Sequence, residues 1–463
     1  MAAGYPDVST FIGHLQADHL SESKHMTVVD ALRRHPSLGL YYATLCVELV
    51  MPLLIWRTPV PDAARWLVDL LVVVLVISTF TKMLYTDRIP MVMVLVLGVT
   101  VIGVIVATFE GQSLLATAWG WWLLFKYPMV GIFVYMHPEW PRSVARWTLK
   151  ACFVLVALQA IVQLLQVATG QGIGDNTAGS FGRHGVTPLV MFIFLSLAFA
   201  FGKWLMDSDW RPMVWVLAFG SLSSALGGMR IFPIGAVLLG AVALLIHLLR
   251  GGNIGRAFLL VCAFAIGFGL FIGVYDAFSR SSSTYWTQIS NREQLSQYFS
   301  NAHYREGEGT YRLGRSYAVQ YGWEQLQRDD ITLVFGYGLG SRSNSGSLGI
   351  VGTAMAESDY GVTQGTDALT FMQEWGIGGL LILAGVFAWL VGAYARAVRR
   401  SRFLWERTAA AGLIVFTVGW PFWLWYQSPW AYTFSMLLYW GMTGFVLQHR
   451  NLTRGEAFQT SHT

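Results

Sequence analysis

About twelve apolar stretches of roughly 17–25 residues succeed one another along this chain, each as long as the helix needed to cross a bilayer. They lie near 39–56, 66–83, 90–108, 114–136, 146–168, 186–205, 212–228, 231–249, 256–274, 368–394, 408–426 and 429–448. In hydrocarbon a backbone must satisfy its own polar groups, so a chain of this pattern is confined to helices. The charge balance agrees: 12% of residues are charged and 54% hydrophobic, against roughly a quarter charged in soluble domains. The 20 tryptophans suit indoles anchored at the lipid interface. The fold class expected is an all-α polytopic membrane protein of about 12 transmembrane helices, with one large extracytoplasmic loop containing short helices.

Orientation follows from the basic residues. With the N-terminus inside, the inner loops collect Lys82, Arg88, Arg142, Arg146, Lys203, Arg211, Arg250, Arg256 and the Arg396–Arg407 group, whereas the short outer loops hold Arg57, Arg65, Arg183 and Arg230. That asymmetry places both termini in the cytoplasm. It also explains the net charge of +5 as a topology signal, leaving no case for nucleic acid as a partner. No short apolar leader followed by a small-residue cleavage site is visible at the N-terminus. The expected organisation is a cytoplasmic lead-in at 1–38, a bundle of about nine helices at 39–274, a large outer loop at 275–367, further spans at 368–448 and a cytoplasmic tail at 449–463.

The outer loop is too long for an ordinary connection, and such loops are usually functional or disordered. "TYWTQISNREQLSQYFSNAHY" and "GRSYAVQYGWEQLQ" have the spaced aromatics and leucines of short amphipathic helices. Residues 336–366, rich in Gly, Ser and Thr, read as a mobile, lid-like loop.

Charged residues on the outer side are few enough to weigh singly. Arg230, in "LGGMRIFPIG", sits at a tight turn between two spans. It either snorkels to the headgroups or presents its planar fork of donors to phosphate oxygens. Arg312 and Arg315 are three apart and would share a helix face, solvated or binding. Arg183 and His184, in "DNTAGSFGRHGVTP", form a second outer cluster whose plain reading is a polar loop. Within the spans stand Glu48, Asp69, Lys126 and Glu374, and such groups usually face a cavity or a partner. Lys126 pairs with Glu48 or Asp69, or binds an anion; Glu374 starts a helix or acts as a site carboxylate. Cys46, Cys152 and Cys262 lie in apolar runs with no metal or redox spacing, and no cofactor is implied. Phosphate-loop, HExxH and GxSxG motifs are absent from the sequence.

Taken in order, "GSFGRHG" after the fifth span, "GGMR" between the seventh and eighth, then "GRSYAVQYGWEQL", "LVFGYGLGS" and "DALTFMQEWGIGGLLIL" resemble the bacterial O-antigen ligase and O-antigen polymerase superfamily, integral membrane proteins that join glycans in the periplasm. The resemblance covers roughly 175–390. It implies an inner-membrane glycosyltransferase, inverting and metal-independent, that moves a glycan from undecaprenyl pyrophosphate to a hydroxyl group. Its partners would be that lipid-linked oligosaccharide, membrane lipids, and a chain-length regulator or export protein. Carried over, Arg230 and Arg315 would hold the pyrophosphate, with Arg312 competing for the second role. Gly336, Gly338 and Gly340 would shape loop backbone over the cleft, with Arg183, His184, Lys126 and Glu374 as further substrate contacts. The ligases place a catalytic histidine just before the returning helix, where this chain has Gly365, Thr366 and Asp367, and no histidine lies between His303 and His449. Asp367 is then the candidate base, and a polymerase of repeat units (O-antigen, capsule or exopolysaccharide) is favoured over a ligase to lipid A-core. A transporter or flippase is the alternative of another class, with Lys126, Pro128 and Glu48 near a midplane site.

Overall fold

The structure is a computed structural model that describes residues 27–86, 91–278, 311–345, 348–358 and 365–459, with isolated positions between 285 and 305. Most of "TYWTQISNREQLSQYFSNAHY" and the first 26 residues lie outside the described residues.

Each apolar stretch of the sequence falls on a helix. A short helix α1 (Val28–Arg34), capped reciprocally by Thr27 and Asp30, leads into α2 (Pro36–Arg57), α3 (Trp66–Thr86), α4 (Met91–Phe109), α5 (Leu114–Tyr135) and α6 (Ser143–Ala168). Then follow α7 (Val186–Asp207), α8 (Arg211–Leu226), α9 (Phe232–Leu249) and α10 (Ile254–Phe278). The loop region carries α11 (Arg315–Leu326), α12 (Asp330–Phe335) and α13 (Thr353–Ala356), before α14 (Asp367–Arg400), α15 (Leu404–Val418), α16 (Trp420–Tyr426) and α17 (Thr433–Gln459). Strand structure among the described residues amounts to two antiparallel pairs of two-residue strands, Tyr304–Arg305 with Tyr311–Arg312 and Asn344–Ser345 with Ile350–Val351. Among the described residues, 7 helices are long and apolar enough to cross a membrane, or 8 if α15 and α16, bent by 48°, count as one span. Large apolar side chains project from their outer faces, as at Leu70, Ile77, Ile266 and Leu381. The protein is an all-α polytopic membrane protein.

Helix α7 is the hub, buried over nearly its whole length against α8, α9, α15 and α17. Between lipid-soluble helices, small residues permit the close approach that dispersion forces require. Gly202 lies against the Thr408 carbonyl and Gly412 of α15, and Gly131 of α5 against Trp440 and Gly444 of α17. A Cβ at any of these glycines would come within 3.0 Å of the facing backbone or side chain.

The two ends of the bundle differ. At one end cations stack on aromatic rings or pair: Arg142 over Phe403 at 4.1 Å, Lys203 over Trp405 at 4.4 Å, and Lys82 with Glu139 at 2.8 Å. The other end holds the C-termini of α2, α4, α6, α8 and α10 and the N-termini of α3, α5, α7, α9 and α14. The candidate residues gather there.

Candidate functional site

Helix α14 breaks at Gly376, whose backbone (φ 59°, ψ −161°) is open to glycine alone. The break frees the carbonyl of Gln373, and the Tyr337 N–H donates to it at 2.7 Å. This hydrogen bond docks the "GYGLGSR" segment onto the kink. Gly336, Gly338 and Gly340 all have positive φ, and each presses backbone against backbone: Gly336 on Gln373–Trp375, Gly338 on Ala107 and Gly340 on Ala116. Gln112, between α4 and α5, donates from Nε2 to the Gly340 carbonyl at 2.9 Å and accepts the Thr353 N–H at 3.0 Å. Residues 338–343 are buried throughout. The open, lid-like loop expected over 336–366 is therefore corrected for this first part: it is a fixed crosspiece wedged between α4, α5 and α14. Its glycines serve close packing.

At the inner edge of the crosspiece stands Arg342, which the sequence reading did not select. It is 6% exposed. Its backbone N–H donates to Glu374 Oε1 at 3.2 Å and its Nη1 to Gln373 Oε1 at 2.9 Å, while Nη2 lies against Gly365. Burial lowers its pKa to about 10, opposed by Tyr321 and Glu374 nearby, so it stays cationic at neutral pH. Glu374 receives the backbone of Gly340 as well as that of Arg342, so its carboxylate fills a nest of loop N–H groups. Glu374 thus organises the loop that bears the arginine.

Two further candidates join this group. Asp367, at the first position of α14, is 7% exposed; its Oδ2 accepts the Trp430 N–H at 2.7 Å, and its own N–H donates to the Gln427 carbonyl at 3.0 Å. Ser428 Oγ donates to the Gly365 carbonyl at 2.9 Å, closing the turn. Arg315, buried at the first position of α11, sets its guanidinium 5.2 Å from the ring centre of Tyr426. Arg315, Arg342, Asp367 and Glu374 therefore surround the junction of α11, α14 and α16. Arg312 does not share a helix face with Arg315: it belongs to a two-residue strand paired with Tyr304, because the helix begins only after Gly314.

Arg230 and the Arg183–His184 pair form a second group at the same end. Arg230 is exposed at the α8–α9 turn; its Nε donates to Tyr275 Oη at 2.9 Å, and its carbonyl accepts from Tyr285 Oη at 3.2 Å. The loop carrying Arg183 is pinned by a ladder of buried glutamines at i, i+4 and i+7 on α6. Gln159 exchanges two hydrogen bonds with Ser180, Gln166 two with Gly179, and Gln163 reaches the carbonyls of Thr177 and Ser223. The Gly174 N–H donates to the Leu226 carbonyl at 3.2 Å, tying this loop to the turn of Arg230. Arg183 and His184 are exposed on this fixed platform, His184 with a left-handed φ of 60°.

Lys126 stands apart, inside the bundle. Its Nζ lies 3.1 Å from Asp69 Oδ1, which also accepts from Trp122 Nε1 at 2.9 Å. Of the two partners left open by the sequence, Asp69 is the bonded one. Set against protein-family models and curated proteins, the chain matches none.

Proposed function

We propose that this protein is a polysaccharide polymerase of the bacterial inner membrane, transferring an undecaprenyl-pyrophosphate-linked glycan to a sugar hydroxyl of a second lipid-linked repeat unit. The observation that carries the reading is two buried arginines, Arg315 over Tyr426 and Arg342 on Gln373 and Glu374, at the end of the bundle where the buried Asp367 opens a long apolar helix. In this reading all of the apolar helices span, both termini are cytoplasmic, and the arginine end of the bundle with the long loop is periplasmic. The basic residues at the opposite end then obey the positive-inside rule.

The chemistry asks for little else. The acceptor oxygen attacks the anomeric carbon as the bond from that carbon to the pyrophosphate oxygen breaks, and the electron pair leaves with the pyrophosphate. Inversion follows from attack opposite the leaving group. Arginine forks fixed at the cleft stabilise the charge gained by the leaving group, and do so more strongly in a water-poor site. Asp367 receives the acceptor proton: its Oδ2 is anchored by Trp430, which orients the carboxylate as a base must be oriented. Arg230 and Arg183 supply further cations at the approach. Because arginine carries the charge stabilisation, turnover should survive EDTA.

A deletion strain complemented with wild type or with Arg315→Ala tests the proposal on a gel of surface polysaccharide. Accumulation of single-repeat lipid-linked glycan in the deletion and in the variant is the expected result. Full-length polymer held on undecaprenyl pyrophosphate and missing from lipid A would make the protein a ligase. An unchanged glycan profile would remove both readings and leave the transporter.

A further inference from the structure

Beside Arg230, on the same end of the bundle, the loop after α6 encloses a cleft of about 370 Å³. Its walls are Trp56, Gln171, Asp175, Asn176 and Arg183, with Gly172, Ile173 and Gly174 between them. No part of the site described above uses Trp56, Gln171, Asp175 or Asn176.

Two features make this a built site. The walls are held before any ligand arrives: the Gln171 N–H donates to the Gln166 carbonyl at 3.0 Å, Thr177 Oγ1 to the Gly172 carbonyl at 2.6 Å, and the glutamine ladder clamps the next turn. Preorganised walls spare a ligand the cost of ordering them. Next, the chemistry of the walls is mixed in a particular way. Planar amides and a carboxylate accept and donate in pairs, an indole offers an apolar plate, and the cation Arg57 stacks on that indole at 4.1 Å. A sugar residue has the matching form, with hydroxyls around its rim and C–H groups on its faces.

We propose that this cleft is a glycan subsite, holding one sugar residue of the acceptor or donor chain while the pyrophosphate occupies the arginines. The assignment rests on the glycan reading of the protein. The Arg230 turn adjoins the cleft through the Gly174–Leu226 hydrogen bond, so a saccharide seated there lies next to that cation.

The test uses purified full-length protein in nanodiscs and lipid-free oligosaccharides released by mild acid from the host's own surface polysaccharide. Saturation-transfer NMR and titration measure binding to wild type, Trp56→Ala, Trp56→Phe and Asn176→Ala. Loss of one well-made hydrogen bond or of the indole plate should weaken binding about tenfold, with Trp56→Phe recovering part of it. In the complemented deletion strain, Trp56→Ala and Asn176→Ala should shorten the polymer at limiting repeat-unit supply and approach wild-type length at saturating supply. That split separates a subsite from a folding defect, which thermal midpoints of the variants check independently. Wild-type binding in both alanine variants overturns the subsite. Oligosaccharide binding that depends on Trp56 in a protein whose deletion changes no glycan would keep the subsite and sink the polymerase.

Discussion

Gly340→Ala is the substitution whose effect the geometry specifies most closely. A methyl at Gly340 would stand 2.1 Å from the Ala116 carbonyl oxygen and 2.6 Å from its carbon, where ordinary contact begins at 3.4 Å. Both are backbone atoms of α5, so no rotamer change relieves them, and the crosspiece must lift by more than an ångström. Three costs combine. A side chain at φ +83° costs about 1–2 kcal/mol, overpacking adds about 1–3, and losing the 2.9 Å Gln112 hydrogen bond adds about 1. Gly349→Ala is the internal control: its φ is +64° with nothing within 4 Å of the added methyl, so it bears only the first cost. The assay is thermal unfolding of the two variants in the same detergent, alongside polymer length in complemented cells. Gly340→Ala should melt well below Gly349→Ala and, under the proposed function, lose at least tenfold in glycan extension, because lifting the loop moves Arg342 away from Gln373. Equal melting and activity in the two variants would refute the crosspiece, and with it the positioning of Arg342.

Lys126 is buried and Asp69 part-exposed, so Asp69→Leu, which strands the buried cation, should cost about 3–5 kcal/mol and Lys126→Met less, whereas the double variant should recover much of the loss; thermal midpoints of the three variants decide. Gln163→Ala leaves the Thr177 carbonyl and Ser223 without their donor or acceptor and should cost about 1–3 kcal/mol, read as faster proteolysis in the 171–185 loop. Asp329 caps α12 by accepting from Thr332 N and Oγ1, hydrogen bonds that hold its carboxyl below the ordinary 3.8. A carboxyl lowered on folding contributes stability above its unfolded value and loses it as pH falls through the folded one, so amide protection at Leu333–Phe335 should drop below about pH 4 in wild type and be insensitive to that change in Asp329→Ala.

The apolar helices were legible because apolar length is a local signal, needing no knowledge of neighbours, although 7 or 8 of them, not twelve, are long and apolar enough to span among the described residues. Even the pair divided by little more than "GMR" resolves into α8 and α9, since Gly227 and Gly228 end one helix and Pro233 opens the next. The glycine loop was misread for the opposite reason. Its glycine, serine and threonine content is that of a mobile segment, and the partners that immobilise it, Ala107, Ala116 and Gln373, come from helices distant in sequence. Two signals were nonetheless present. Alternating glycines at 336, 338 and 340 mark backbone in close contact, and Arg342 is an arginine set between two serines in an otherwise uncharged stretch. The glutamines at 159, 163 and 166 were likewise visible as a polar face on an apolar helix, the pattern that announces a partner inside the bundle.

Both loops that enter this end of the bundle share one physical requirement. Non-helical backbone among membrane helices is tolerated only when protein satisfies its polar groups or a cavity solvates them. Side chains of α6 meet that requirement for 177–180, and Gln112, Gln373 and Glu374 meet it for 337–342. A bundle of plain helices would need none of these buried amides and carboxylates. Each loop carries an arginine: Arg183 at the exposed edge of one, Arg342 at the buried edge of the other. Under the proposed function this arrangement has a purpose that packing alone does not give it. Guanidiniums held by a fixed loop need not reorganise as charge grows on a departing pyrophosphate, and lipid-side burial strengthens their attraction for it. The polar ladders then maintain cations at the membrane surface in the geometry the proposed reaction would use, while Lys126 is held by Asp69 within the bundle.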